Sequence, residues 1–221
     1  MNEAGLRSEL VRVGRSLHAR GYVHGTTGNV SARLDDGYLI TATDACLGDL
    51  GEGDIVKVDI DGKTTSAGAR PSKTLALHLR IYAADPEAGC VIHTHSRHLV
   101  RASLGLPIGE SRDDFLAPIT PYFVMKVGHV PLVAYHRPGD PAVADRVADA
   151  IERARRRGAP IRAAMLARLG PNVWHATPAA AMAVLEELEE TARLCLDADP
   201  KPEPLSPAHI EELRVHLGAR W

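Results

Sequence analysis

Two histidines separated by a single residue, His93 and His95, are the side chains of this sequence best suited to chemistry. They end a short apolar run that predicts a buried strand over residues 90–95. Residues two apart on a strand point to the same face, so both imidazoles can converge on one point. Neutral imidazole binds Zn²⁺ and other divalent transition metals. The pair therefore predicts a metal site; the alternative is two histidines satisfied by hydrogen bonds at a strand end.

A third protein ligand is needed, because catalytic zinc normally takes three protein ligands and keeps one position open. Most of the other histidines are isolated positions of the kind that usually serve structure. The sequence does not choose among them, and the candidates by residue type are His18, His24, His78, His98, His129, His136, His175, His209 and His216.

The hydrophobic pattern predicts the elements that must position this pair. Helices are expected over residues 6–21, 71–84, 142–157, 178–196 and 207–217. Strands are expected over residues 38–43, 54–60, 90–95, 130–135 and 163–166, with a hairpin turn at residues 35–37. Ser72 and Ser96 are expected to cap the helices that follow them. Strands flanked by helices predict an α/β fold with a mixed sheet covered on both faces.

Length and composition limit the kinds of protein this can be. The 221 residues suit one sizeable domain, assigned to residues 1–198, followed by a proline-rich linker and a short helix over residues 199–221. The formal net charge of −2 gives no argument for nucleic acid or membrane binding. The amino terminus is not typical of a signal peptide, and three dispersed cysteines predict neither disulfides nor a cysteine zinc site. We therefore expect a soluble, cytoplasmic protein.

Several motifs occur in an order that resembles the class II aldolase/adducin family over about residues 5 to 196. The stretch at residues 119–144 is most similar to the branch of 3-oxo-tetronate 4-phosphate decarboxylases. The other motifs that carry the resemblance are GTTGNVS (25–31), TATD (41–44), RPSKTLALHLRIY (70–82), VIHTHSRH (91–98) and LEELEETARL (185–194).

The resemblance implies a fold, an assembly and a metal. The family fold is a three-layer α/β/α sandwich with a central, mostly antiparallel mixed sheet. Its members usually form a homotetramer with active sites at subunit interfaces. His93 and His95 match two of the family's zinc ligands, so the implied cofactor is a divalent ion, Zn²⁺ first, with Mn²⁺, Co²⁺ or Fe²⁺ as alternatives.

The resemblance also implies a phosphate site and two catalytic groups. A glycine turn, hydroxyls and a helix amino terminus can present donors to an anion. Lys73 would add a positive charge, and Tyr122 is similar in place to tyrosines that donate a proton across the subunit interface. The implied substrate-binding positions are Gly28, Asn29, Thr43, Asp44, Ser72 and Lys73.

Three positions depart from the family pattern. Leu169 stands where the family has its third histidine ligand, in a motif like NHG, and leucine cannot bind a metal. Thr74 stands where aldolases and decarboxylases have a catalytic glutamate, four residues before His78. Asp44 replaces a glycine, and its carboxylate would repel a phosphate dianion unless a cation such as Lys73 neutralises it.

These observations predict a metal-dependent carbon–carbon lyase that acts on a small sugar-derived oxo or hydroxy acid or its phosphate. Decarboxylation is favoured over aldol cleavage because it can begin without the base that Thr74 does not supply. His175 is the nearest candidate in sequence for the third ligand, although an exposed histidine with no ligand role is the favoured interpretation of this residue. The alternatives are a retro-aldolase, a metal-bound oxygenase or dehydratase, and a binding or scaffold relative that has lost its chemistry.

Overall fold

A computed structural model describes residues 2–65 and 68–221, and across these residues a seven-stranded sheet runs through the centre. The strand order is β3-β2-β1-β4-β7-β6-β5. Neighbouring strands are antiparallel except for β5 and β6, which run parallel. The strands are β1 Asn29–Leu34, β2 Gly37–Thr41, β3 Ile55–Val58, β4 Cys90–His93, β5 Leu132–Val133, β6 Ala163–Leu166 and β7 Gly170–His175.

Helices cover both faces of this sheet. The helices α1, α3 and α5 bury one face in the larger hydrophobic core, and α2 and α4 bury the other face around Trp174. The helices are α1 Glu3–Ala19, α2 Leu75–Ala84, α3 Arg97–Leu104, α4 Pro141–Arg156, α5 Pro178–Asp197 and α6 Pro207–Leu217. The expected three-layer α/β/α arrangement with a mixed, mostly antiparallel sheet is therefore confirmed. Of the described helices, none has the length and hydrophobicity that a membrane crossing requires.

The sequence predicted most elements close to their observed bounds, but the expected strands include neither of the central strands β1 and β7. The hairpin turn, the strand at residues 163–166 and the helix at residues 207–217 are confirmed. The strand predicted at residues 130–135 is reduced to Leu132–Val133, and a π-helical turn occupies Phe123–Val127. β7 was missed because it begins with a Gly-Pro pair that reads as a turn, yet it pairs with both β4 and β6.

Neither of the two predicted serine caps forms. Helix α2 begins at Leu75 with Thr74 as its N-cap residue, and the Ser72 hydroxyl lies 3.0 Å from the Thr74 hydroxyl instead. Ser96 does occupy the N-cap position of α3, but its Oγ is bonded to Thr94 Oγ1 at 2.6 Å. The amino terminus of α3 must therefore be satisfied by another group.

Glu189 on α5 is that group. Its carboxylate is buried and accepts hydrogen bonds from the backbone N–H of His98 at 2.9 Å and of Leu99 at 3.1 Å. It also contacts His98 Nδ1 at 2.8 Å. A carboxylate is favourable at a helix amino terminus, where unpaired N–H groups and the helix dipole meet. This contact holds the helix that directly follows His93 and His95.

The carboxyl-terminal residues fold back onto the body of the protein. Leu205 N–H donates to the Pro118 carbonyl at 2.8 Å. The Trp221 ring stacks on His129 with ring centroids 4.0 Å apart, and His129 Nδ1 lies 2.7 Å from Asp114 Oδ1. The division into residues 1–198 and a terminal segment stays a prediction.

Replacing Glu189 by alanine should lower the free energy of unfolding by about 3 kcal/mol, because two buried backbone N–H groups lose their acceptor. Urea unfolding followed by circular dichroism measures it. Glu190→Ala is the matched control, since Glu190 lies next along α5 and pairs only with Arg193 near the surface. That control should change stability by less than about 0.5 kcal/mol. Equal losses in the two variants would show that Glu189 does not cap α3.

Candidate active site

His93 ends β4 in the centre of the sheet, between Asn29 on β1 and Asn172 on β7. Residues in register on neighbouring strands share a face, so these three polar side chains form a row. His93 is buried, and its Nδ1 lies 3.0 Å from the carbonyl oxygen of Pro171. A carbonyl oxygen only accepts, so Nδ1 carries the proton and Nε2 keeps its lone pair. The fold therefore fixes the tautomer that a metal ligand needs.

His95 lies just beyond the end of β4 and is half-buried. Its ring centroid is 5.1 Å from that of His93, with an angle of 69° between the ring planes. Burial lowers the pKa of His93 to about 4, with the neighbouring His95 as a smaller cause. Burial, and then the charge of His24, lower the pKa of His95 as well. Both imidazoles are thus neutral near pH 7, which is the form that binds metals.

One cleft contains most of the site residues expected from the sequence. It has a volume of about 320 Å³, which lies within the usual range for small-molecule sites. Thr26, Thr27, Pro138 and Gly139 also line it, and sequence reasoning did not single these out. The expected residues that the cleft brings together are Gly28, Asn29, Thr43, Asp44, Ser72, Lys73, His93 and His95.

Gly28 allows the loop before β1 to lie directly against β4. Its φ is +81°, and a Cβ placed there would be 2.5 Å from Val23 Cγ1 and 3.0 Å from the His93 carbonyl oxygen. Only glycine combines this left-handed backbone with so close an approach. The glycine turn is therefore fixed beside the histidine pair.

The hydroxyl-bearing loops of the cleft are tied to one another. The Thr43 N–H donates to the Arg70 carbonyl at 2.8 Å, and the Thr43 hydroxyl donates to the Pro71 carbonyl at 2.7 Å. The Ser72 N–H donates to the Thr41 carbonyl at 3.1 Å. These bonds hold Thr43 and Ser72 on the same side of the cleft. A ligand that needs the Thr43 hydroxyl as donor must draw it away from Pro71.

Asp44 adopts a backbone conformation that favours glycine. Its φ is +61°, in the left-handed region, where aspartate is among the better tolerated residues. Its carboxylate lies 3.7 Å from Lys73 Nζ, and both side chains are largely exposed. An exposed pair of this kind is screened by water and contributes little to stability. Lys73 therefore offsets the charge of Asp44 only in part.

Leu169 and Thr74, the other two departures from the family pattern, also line the cleft. The turn that carries Leu169 has φ of +65° at Arg168 and +137° at Gly170. A Cβ at Gly170 would be 1.9 Å from the Thr94 carbonyl oxygen, so this turn presses against the backbone between the two histidines. The tight turn is thus retained although its ligand is not. In the ranges 2–65 and 68–221, no three His, Cys, Asp or Glu side chains stand ready to hold a metal.

Two expected site residues lie elsewhere. His175 is paired with Cys90 at the opposite end of β4, three residues from His93, which is about 10 Å along a strand. Its Nδ1 accepts a hydrogen bond from Ala176 N–H at 2.8 Å. The fold therefore does not bring His175 to the pair. Tyr122 is 62% exposed and does not line the cleft of its own chain.

A buried polar network lies beneath the cleft and was not expected. His78 Nδ1 is 2.7 Å from Ser31 Oγ, which is 2.8 Å from the Tyr82 hydroxyl. His78 Nε2 has no partner among the described residues, nor does the side-chain amide of Asn172. Burial, and then the nearby His93, lower the pKa of His78 to about 3. The α2 face of the sheet thus keeps a neutral histidine within electrostatic range of His93.

Comparison with known proteins shows what this chain is similar to. A family model described as Class II Aldolase and Adducin N-terminal domain matches residues 8–196. A 3-oxo-tetronate 4-phosphate decarboxylase of Cupriavidus necator is 50% identical over 224 residues, which cover 99% of each chain. The protein of the same name in Pectobacterium atrosepticum is 41% identical over 87% of this chain and 84% of its own.

Solved structures agree with this similarity. YgbL from Klebsiella pneumoniae superposes with a TM-score of 0.86 at 38% identity, covering 97% of this chain and 100% of that one. An L-fuculose 1-phosphate aldolase has a TM-score of 0.82 at 24% identity, covering 99% and 98% of the two chains. The second comparison shows that the fold is shared.

The buried His78 should make the protein less stable in mild acid. Its pKa is lowered on folding, so the unfolded state binds the proton first. The free energy of unfolding should therefore fall as the pH drops from 6.5 towards 3. For one such group, the unfolding equilibrium constant should rise about tenfold per pH unit. His78→Gln should show a shallower pH dependence than the wild type.

Urea unfolding between pH 7 and pH 5, with a chelator present, measures the two slopes. Comparing the slopes of the free energy of unfolding against pH removes any constant loss of stability in the variant. The contributions of His93 and His95 to these slopes are common to both proteins. Parallel pH profiles would contradict a neutral, buried His78.

Proposed function

The chain belongs to the class II aldolase and adducin family, and on that premise we propose that it is a lyase that releases CO₂ from a 3-oxo-tetronate 4-phosphate. Such a substrate is a four-carbon oxo acid with one phosphate. Relatives that carry this activity in their names cover nearly the whole chain. The family makes the chain a lyase, and the substrate is the part that we propose.

The single observation that carries the proposal is the shared cleft. Gly28, Thr43 and Ser72 line one part of it, and His93 and His95 line another. Backbone N–H groups and hydroxyls at a glycine turn suit a phosphate. Imidazoles in the ligand tautomer suit a divalent ion, for which we propose Zn²⁺, with Mn²⁺, Co²⁺ or Fe²⁺ as alternatives. One short phosphorylated acid can reach both parts at once.

A divalent ion at this pair would supply Lewis-acid stabilisation of the negative charge that develops as the carbon–carbon bond breaks. The rest of the chemistry falls to side chains. In the decarboxylation of a 3-oxo acid, the C1–C2 bond breaks, its electron pair stays with C2 and passes to the C3 oxo group, and CO₂ departs, so no base has to begin the reaction. Thr74 lines the cleft where a carboxylate would serve as that base, and threonine has no comparable basicity. This residue favours decarboxylation over retro-aldol cleavage.

A proton must then reach the carbon that CO₂ has left. Tyr122 is our proposed donor, and since it does not line its own cleft, it can serve only the cleft of another subunit. The proposal therefore includes a homotetramer with active sites between subunits. A cytoplasmic location is also part of the proposal and rests on composition.

Lys73 is an exposed cation of the cleft. It lines the cleft and also a neighbouring pocket that His136 and Arg137 share. Its ammonium group is largely exposed, so it can turn from Asp44 towards a carboxylate or phosphate. We propose that Lys73 orients the anionic end of the substrate and does not transfer protons.

A second candidate function is a binding or scaffold relative without catalysis. Two observations favour it, namely Leu169 and Thr74 at cleft positions where the family has a ligand and a catalytic carboxylate. The cradle of Gly28, Thr43 and Ser72 would then bind a phosphorylated metabolite without cleaving it. The two candidates differ in one outcome, which is CO₂ release by protein loaded with metal.

The direct experiment follows CO₂ release from 3-oxo-tetronate 4-phosphate and from the same acid without phosphate. The wild type is compared with Asp44→Asn, since asparagine tolerates the left-handed backbone and removes only the charge. Because Asp44 is exposed, its repulsion of a phosphate dianion is worth only ~1–2 kcal/mol. We expect Asp44→Asn to lower KM for the phosphorylated acid about tenfold and to leave the other acid unchanged.

Asp113→Asn is the matched control, because Asp113 has similar exposure and a similar weak ion pair, with Arg157, outside the cleft. This variant should leave KM unchanged for both acids. If Asp44→Asn changed KM equally for both acids, Asp44 would not lie at the phosphate-binding part of the cleft. If the metal-loaded wild type released no CO₂ from either acid, the result would favour the second candidate function, binding without catalysis.

A further inference from the structure

A third imidazole stands beside the histidine pair. The ring of His24 lies 6.3 Å from that of His95, with the ring planes at 80°. His95 therefore has two imidazole neighbours, His93 at 5.1 Å and His24 at 6.3 Å between ring centroids. His24 is exposed, and its ring makes no hydrogen bond to any residue in the described part of the chain.

The two ring separations from His95 can be compared with those expected around one bound ion. Two imidazoles bound to one tetrahedral metal at 2.0–2.1 Å have ring centroids about 5 Å apart. The His93–His95 separation of 5.1 Å already meets this condition. The His24–His95 separation of 6.3 Å exceeds it by about 1 Å. An exposed side chain closes such a gap by rotation about its χ angles.

The backbone that carries His24 is fixed next to the site. The His24 carbonyl accepts hydrogen bonds from the Thr27 hydroxyl at 2.6 Å and from the Thr27 N–H at 3.0 Å. The His24 N–H bonds to Thr27 Oγ1 at 3.0 Å. Gly28 then presses this turn against the backbone of His93. The loop thus holds the Cα of His24 in place and leaves only the imidazole to move.

Among the residues that the structure describes, the histidine pair lacks a third protein ligand for a metal ion, and His24 could supply one. Leu169 lines the cleft where the family resemblance requires a histidine, and Thr74 offers no carboxylate. Of the other histidines, His136 lines a neighbouring pocket with His93, and its Nδ1 bonds to the Ala134 carbonyl at 2.8 Å. His175 lies at the far end of β4, and His78 lies in the buried network with Ser31.

We propose that His24 is the third protein ligand of the ion held by His93 and His95. The inference rests on the metal dependence in the proposed function. The three imidazoles would leave one coordination position open to substrate, as a catalytic site requires. The ligand would come from the glycine-rich loop, so metal and phosphate would be bound by adjoining parts of one segment. The family's third ligand is thereby replaced by a residue about 145 positions away in sequence.

Zn²⁺ affinity of the full-length, untagged protein tests this without reference to activity. Competition with a chelator gives the Kd, and the visible absorption of bound Co²⁺ reports the number of nitrogen ligands. We expect His24→Ala to raise the Kd for Zn²⁺ by about tenfold or more and to change the Co²⁺ spectrum. His216→Ala is the matched control, an exposed histidine on α6, and it should bind like the wild type.

A rescue variant separates loss of a ligand from loss of structure. In His24→Ala/Leu169→His, the new imidazole would occupy the family's position, and the affinity should return towards the wild-type value. Unchanged Zn²⁺ affinity in His24→Ala overturns the assignment and leaves the proposed function standing. A metal-loaded wild type that releases no CO₂ overturns the proposed function, while the affinity series still decides the role of His24.

Discussion

The hydrogen bond from the His93 imidazole to the carbonyl of Pro171 is the interaction on which the site depends. It joins β4 to β7 through a side chain as well as through the strand ladder, and it determines which ring nitrogen faces the cleft. Because the acceptor is a backbone carbonyl, the bond survives any change of side chain at Pro171 that keeps the turn. Burial of His93 strengthens its effect, since the ring has no water to bond instead.

The surrounding structure brings backbone unusually close to this histidine from two sides. Gly28 lies against its carbonyl from the β1 side, and Gly170 lies against Thr94 from the β7 side. Both contacts exclude a Cβ, so both positions need glycine. Glu189 then fixes α3 immediately after the pair. The backbone around the histidine pair is therefore fixed from three sides.

The sequence predicted the local features of this site and failed on those that depend on distant contacts. Alternation along a strand predicts the pair at His93 and His95, but β4 ends at His93 and His95 lies just beyond it. β7 was missed because its Gly-Pro start resembles a turn, and only pairing with β4 makes it a strand. His175 was chosen for its nearness in sequence to Leu169, but strand register carries it to the far end of β4. No local sequence pattern relates His24, in a loop before β1, to the end of β4, and only the fold brings its ring near that of His95.

The central claim is that His93 and His95 hold a divalent ion in this chain despite the loss of the family's third histidine. Elemental analysis of protein purified without a histidine tag tests it most directly, on the wild type and on the double variant His93→Ala/His95→Ala. Our account predicts about one divalent ion per chain in the wild type and almost none in the double variant. Equal metal content in the two proteins, or none in the wild type supplied with Zn²⁺, would contradict it.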